Sequence, residues 1–412
     1  MKVLVFGGAG KMGRAVAYDL VRQEDVTTVG LAARSLASLE STKAWLASPK
    51  VATHAVDVLN EEEVKELVRG YDVVVSTLPD RRTSYALAKA TLEAGRNLVD
   101  MLEEYHRRPD RYEVEGLELP QGLDLDGFGD YLHETAIENG VTFLDGMGFA
   151  PGLSNITCGE GIRKLDRAHR VIARVGGIPE KHAAARHPLR YMITWAFSHV
   201  LREYNVKLFI LENGKKTEVD AGTGRERFQF SFFGQDETLE CAITPGMPSF
   251  IYTRPDLEYF AEKTVRWPGH WDGVQTLKEC GLLELEPVDV GGVKVVPREV
   301  LLACIAPRLL PNPGEEDLCV MYNTVEGEKD GRPLRVAYAM WERPDPETGI
   351  SAMGRVTGFP TAIGALFLGR GLIREKGLVP PEDAISGELY GLFMGELARR
   401  NIRIHEEVEP LG

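Results

Sequence analysis

The chain is poor in cysteine, in aromatic residues and in positive charge, and it has no long unbroken apolar run. Its five cysteines stand at 158, 241, 280, 304 and 319, never in C-x-x-C spacing. An odd, scattered set excludes a disulfide framework and a thiolate zinc site, and it reads as reduced, so the expected location is cytoplasmic. Lysine and arginine number 48 against 62 aspartates and glutamates, a formal net charge of -14. So acidic a chain argues against nucleic acid or an anionic membrane as partner, since both reward a basic surface. The most apolar late stretch, Val356 to Leu368, is interrupted by Gly358, Pro360 and Gly364 and is too short to span a bilayer. Met1 leads almost directly into a strand, so no signal peptide is expected.

What is present begins with glycine. Lys2 to Phe6 is a short apolar run of strand character, and Gly8, Gly10 and Gly13 then fit G-x-G-x-x-G, with Lys11 and Met12 between them. Met12, Val16 and Leu20 recur at helical spacing, so the loop opens a helix. In that context the first glycine allows a tight turn, the second a close approach to a pyrophosphate and the third close packing of helix on strand. The next strand, Val26 to Ala33, ends at Arg34 and Ser35 with no carboxylate to bond a ribose hydroxyl. Arg34 and Ser35 suit a 2'-phosphate, so NADP(H) is expected in preference to NAD(H), with Arg34 as a solvated turn residue and NAD bound as the alternative.

Strands and helices continue to alternate. Strands are expected at 51–56, 72–76, 97–101 and 141–145, and helices at 61–68, 83–94 and 131–138, the last capped by Asp130. This is an α/β reading: a Rossmann-type doubly wound parallel sheet of six strands. Residues 107–129 have no period and carry Pro109, Pro120, Gly116, Gly122, Gly127 and Gly129, so they read as an inserted loop. Asp124, Asp126 and Asp130 lack a full set of oxygen ligands, and no metal is expected.

Beyond Pro151 the strands, at 169–175, 207–212, 227–233, 238–243, 263–267 and 318–341, are joined by hairpin signals such as Asn213-Gly214 and Asp330-Gly331. A second α+β domain on a mostly antiparallel sheet follows, for substrate and dimerisation, over 151–353. The Rossmann domain, 1–150, would be completed by a helix-rich segment, 354–412.

Seven stretches in order resemble the saccharopine dehydrogenase family over nearly the whole chain: 7–13, 72–79, 98–101, 148–152, 175–179, 188–191 with Trp195, and 264–270. The tail, with Gly369-Arg-Gly371 and Pro380-Pro-Glu-Asp383, is similar to lysine 6-dehydrogenase-like members. The resemblance implies an NAD(P)-dependent oxidoreductase acting at the C–N bond of an amino acid or polyamine derivative, usually a homodimer. It places Asp57 and Val58 by the adenine and Ser76, Thr77, Leu78 and Pro79 by the nicotinamide ribose. Ala150 stands where saccharopine-forming members carry Asp, Asp145 is displaced by one from the family acid, and Ser198-His199 depart from the usual pattern. The readings left open are a lysine 6-dehydrogenase-like deaminase, a saccharopine, carboxynorspermidine or homospermidine type of condensing reductase, and a non-catalytic NADP(H) sensor.

Oxidising an amine needs hydride transfer to a nicotinamide and a proton acceptor of suitable pKa. His270, in a turn beside Arg266, is the first candidate for that base, or else bonds local backbone. Asp145 and Asp100, at the ends of parallel strands, are candidates to pair with a substrate ammonium, or else cap loop amides. Arg266 suits a substrate carboxylate, or else lies on the surface. Tyr191 and Trp195, four apart on one expected helical face, line the pocket beside Met101 or pack in the core.

Overall fold

The computed structural model describes residues 1–112, 117 and 119–411. Its order begins β1 (Lys2–Phe6), α1 (Lys11–Leu20), β2 (Thr28–Ala33), α2 (Leu36–Leu46), β3 (Val51–Ala55), α3 (Glu61–Arg69), β4 (Val73–Ser76), α4 (Arg81–Glu93), β5 (Asn97–Val99), α5 (Leu125–Glu138), β6 (Thr142–Leu144) and α6 (Leu153–Arg163). There follow β7 (Arg167–Pro179), α7 (Lys181–Ala184), α8 (Phe197–Glu203), β8 (Lys207–Glu212), β9 (Lys215–Asp220), β10 (Glu226–Phe230), β11 (Glu237–Ile243), α9 (Phe250–Thr253), β12 (Tyr259–Arg266) and α10 (His270–Glu279). The chain ends with β13 (Val288–Val290), β14 (Val293–Val295), α11 (Pro297–Ile305), β15 (Asp317–Lys329), β16 (Arg332–Glu342), α12 (Ala352–Gly369), β17 (Gly377–Val379), α13 (Pro381–Ala384), α14 (Glu388–Arg399) and β18 (His405–Pro410).

Two compact units result. The first comprises Met1–Glu160, Met247–Ser249 and Gly354–Ile402; the second comprises Gly161–Gly246, Phe250–Met353 and the chain from Arg403 onward. Set beside the expected boundaries, helix α6 carries the first unit on to Glu160, and the last ten residues belong to the second because β18 pairs with β16.

The first unit holds a seven-stranded sheet in the order β17-β6-β5-β4-β1-β2-β3, parallel throughout. Val73, Val74 and Val75 are buried together, as in a strand covered on both faces. Leu4, Val74, Leu98 and Phe143 form one core with Leu87 of α4 and Leu132 of α5. The sheet has one strand more than expected: β17 comes from the carboxyl-terminal segment and pairs with β6. Helix α5 also begins six residues earlier than expected, capped by Asp124, whose carboxylate accepts from the Gly127 amide at 2.8 Å. Residues 125–129 are therefore helix, not inserted loop, and expected-loop residue Gly116 lies outside the described residues. The three loop aspartates are engaged: Asp124 as this cap, Asp126 by Arg111 and Asp130 by Arg108, each at 2.7 Å.

The second unit is built on a nine-stranded sheet, with β10-β11-β12-β7-β15-β16-β18 in order and the β8–β9 hairpin attached to β12. It is antiparallel except for β12 beside β7. Asp330 and Gly331, both at positive φ, turn the long hairpin of β15 and β16. Among the described residues, no helix is long and apolar enough to cross a membrane.

Candidate active site

The glycine loop leaves β1 and enters α1 with Gly10 as its cap. A Cβ on Gly13 would lie 2.3 Å from the Gly7 carbonyl oxygen and 2.7 Å from Gly8 Cα, so only glycine permits this approach of helix to loop. The first turn of α1 carries no acidic side chain, which leaves its amides free of competing negative charge. Lys11 and Met12 open the helix. Arg34 follows β2, exposed and with no ion-pair partner among the described residues, while Ser35 caps α2 by accepting from the Ser38 amide at 3.3 Å. Asp57 follows β3 and accepts from the Leu59 amide at 3.1 Å, with Val58 buried next to it. At the end of β4 the Ser76 hydroxyl is buried without a hydrogen-bond partner, and Thr77 donates to the Phe6 carbonyl at 2.8 Å; Leu78 and Pro79 lead on to the Asp80 cap of α4. A glycine loop that opens a helix, an exposed cation after β2 without an ion-pair partner among the described residues and an orphaned hydroxyl at the end of β4 fit a dinucleotide.

One cluster at the carboxyl edge of the same sheet brings together two of the expected residues and one that was not expected. Asp100 follows β5, Asp145 follows β6, and His106 reaches them from the loop after β5. All three are buried. Asp145 Oδ1 lies 2.7 Å from His106 Nδ1, and its Oδ2 accepts from the His106 amide at 2.9 Å. Both Asp145 oxygens are thus engaged by His106, which opposes the expected contact with a substrate ammonium. Asp100 Oδ1 accepts from the Gly146 amide at 2.7 Å, whereas its Oδ2 is buried without a hydrogen-bond partner, 3.7 Å from His106 Nε2. Met101, next in the chain, is half-buried. Although donor atoms of the three side chains lie within 4.8 Å of one another, the shortest contact is a hydrogen bond, and the cluster is read as a hydrogen-bonded unit. Burial pushes Asp145 well above the carboxylate range and raises Asp100 to about 7, while it lowers His106 against the pull of Asp100. No periodic signal marked His106; its adjacency to the Leu98–Met101 stretch was the one available cue.

The other expected residues meet in the second unit. Arg266 ends β12 and His270 opens α10, one turn later. Tyr204 Oη lies 3.0 Å from both Arg266 Nε and His270 Nε2, and His270 Nδ1 donates to the Leu189 carbonyl at 2.8 Å. With both ring nitrogens engaged and the side chain fully buried, His270 is not presented as an open base; burial and then the Arg266 charge bring it down to about 3. Arg266 is buried too, not on the surface, with Nη1 donating to the Val265 and Gly177 carbonyls. No carboxylate forms an ion pair with it among the described residues. Its guanidinium lies 4.9 Å from the centre of the Tyr191 ring. The Tyr191 and Thr194 hydroxyls are buried without partners. Tyr191 and Trp195 do not share a helical face: residues 191–196 are not helical, because Leu189 and Arg190 take positive φ and α8 starts only at Phe197. Trp195 instead packs its ring 5.2 Å from that of His199.

These features have counterparts. The family model described as the Saccharopine dehydrogenase NADP binding domain matches residues 3–119, and that described as the Saccharopine dehydrogenase C-terminal domain matches residues 148–402. Carboxyaminopropylagmatine dehydrogenase of Synechocystis sp. is 25% identical over 99% of this chain and 98% of its own. Saccharopine dehydrogenase [NADP(+), L-glutamate-forming] of Saccharomyces cerevisiae is 20% identical over 94% of this chain and 97% of its own. The structure of apo saccharopine dehydrogenase (L-Glu forming) from Saccharomyces cerevisiae superposes over 99% of both chains with a TM-score of 0.76 at 19% identity, a likeness of fold. With matched models covering most of its length, the chain is an NADP-binding oxidoreductase that belongs to the saccharopine dehydrogenase family.

Proposed function

We propose that the protein is an NADP-dependent oxidoreductase that makes or breaks the C–N bond of a substrate carrying a carboxylate, with a secondary amine between an amino acid and a second amine-bearing part. The observation that carries this reading is the buried Arg266, which forms no ion pair among the described residues and is reached only by the more distant charge of Glu262. A guanidinium keeps its charge at any physiological pH, and a buried charge without an opposite partner is costly. The buried hydroxyls of Tyr191 and Thr194 in the same unit face each other without a well-formed hydrogen bond, which leaves donor capacity there. An anionic substrate group supplies both needs, by a charge-assisted contact with the arginine. The full-length similarity to a carboxyaminopropylagmatine dehydrogenase favours the condensing type of reaction over oxidation of a free amino acid such as lysine, the alternative that the tail residues favour. Bound NADP would supply the hydride acceptor; the chain supplies the cradle at Gly8, Gly10 and Gly13 and the exposed cation at Arg34.

Nicotinamide absorbance tests this with NADP+ and NAD+, in both directions, against a carboxylated secondary amine, saccharopine and L-lysine. Turnover of a carboxylated secondary amine with NADP is expected. Arg266→Gln should raise KM for that substrate roughly 10- to 100-fold, the worth of one or two bonds to a charged group. Turnover of lysine alone overturns the condensing reading, and NADP binding with no turnover of any of them leaves the sensor.

A further inference from the structure

The cluster around His106 has a property that neither capping nor simple charge pairing explains. Asp145 holds the imidazole at Nδ1, and the opposite nitrogen, Nε2, looks at a carboxylate oxygen that has no other partner: Asp100 Oδ2, buried, 3.7 Å away. Two carboxyl groups therefore face one imidazole from its two ends. Asp100 is otherwise held by the Gly146 amide at Oδ1, with the Leu102 amide also directed at its carboxyl, and Asp145 by the His106 amide, and each carboxyl turns one oxygen to the ring. The ring is wedged between Tyr85 and Phe143, whose centroids lie 4.4 and 4.9 Å away. It is held for transfer along its axis.

We propose that His106 passes a proton between Asp100 and Asp145 while its ring stays neutral, and that this relay serves the reacting nitrogen. In one step the O–H bond at Asp100 Oδ2 breaks as Nε2–H forms, and the Nδ1–H bond breaks as O–H forms at Asp145 Oδ1. One proton enters the imidazole and one leaves it, so no buried imidazolium arises. The cost of burying a charged ring is avoided. The 3.7 Å gap must close to about 2.8 Å for transfer, as the hydrogen bonds of unliganded sites commonly do. In oxidation the amine nitrogen loses a proton when its carbon gives up hydride; Asp100 carboxylate takes that proton, and reduction runs the path backward. The titratable and charged groups nearest the relay are Glu104 and Arg81, whose charges reach His106, and Tyr85, Tyr105 and Glu382, whose charges couple to Asp145. Ser84 Oγ lies 3.3 Å from Nε2 and is the one competing hydrogen-bond partner on that side.

This inference rests on the proposed C–N chemistry for its purpose, but its test separates the two. In the full-length protein with NADP+, 15N-histidine NMR should show the His106 ring exchanging between its two neutral tautomers as pH is raised through neutrality, with no imidazolium pattern. Asp100→Asn should abolish the exchange. A single fixed tautomer across the range, or an imidazolium, overturns the relay whatever the substrate proves to be. With an active substrate, His106→Asn keeps an amide donor toward Asp145 and removes Nε2. It should lower kcat about 100-fold or more, the usual worth of a positioned proton path, with KM within about threefold. An unchanged kcat and pH profile in His106→Asn overturns it as well, since a purely structural histidine would leave both in place.

Discussion

Two fully buried histidines, one in each unit, show how partners decide what a side chain can do. His106 and His270 have the same exposure, and burial disfavours the charged form of both. The charges of Asp100 and Glu104 work against that loss at His106, which retains a nitrogen opposite an oxygen without a hydrogen-bond partner. His270 faces Arg266, which deepens the loss, and both of its nitrogens are tied. The one is placed to exchange a proton and the other to brace a tyrosine beside an arginine. A histidine next to a cation looked like a base in the sequence; in the structure burial, with that cation added, is what silences it.

The difference can be broken most severely from the carboxylate side. Asp145→Ala leaves two buried groups of His106 without their partner and should cost about 2–4 kcal/mol in urea unfolding, as unsatisfied buried polar groups do. Tyr204→Phe removes the neutral link between Arg266 and His270 and should cost less, about 1–3 kcal/mol by the same measurement.

The two regions should also respond to pH with opposite sign. His270 sits at about 3 in the folded protein against an ordinary 6.5, so between those values the unfolded chain binds a proton that the folded one refuses. Stability contributed there falls as pH falls through that window, by up to about 1.4 kcal/mol per pH unit, and His270→Gln should flatten the slope. Asp100 is raised to about 7 from 3.8, so the folded state keeps a proton that the unfolded chain releases, and stability falls as pH rises through that window. Asp100→Asn should remove this opposing slope; chemical denaturation at a series of pH values measures both. The smallest effect lies away from both histidines: Arg34→Asp should shift the NADP to NAD preference by about tenfold or more through loss of a phosphate contact, leaving both histidine titrations unchanged.

The nucleotide half was legible because its signals are local: a strand, a glycine loop and a helix follow one another within twenty residues. The proton-bearing cluster was not, because His106 lies in a stretch without period and its partners come from two strand ends. Glycine misled at the start of α5. Gly129 is there because a Cβ would stand 2.4 Å from the His106 carbonyl oxygen, a packing demand that reads in sequence as a loop. β17 has three residues, too few for any period to show. The parallel pairing of β12 with β7 joins strands about ninety positions apart, which hairpin signals do not encode. Tyr191 and Trp195 kept helical spacing by coincidence, since the chain between them is extended or bent.

The last strand carries a practical consequence. β18 covers the outer side of β16 from Leu334 to Ala339, and Val336, Ala337 and Tyr338 of β16 are buried. A shortened tail would bare a ladder of unsatisfied amides and carbonyls on an apolar strand, the kind of surface on which chains add to one another. Deletion from Arg403 onward should therefore yield clumping protein even though it touches neither the glycine loop nor the two histidines.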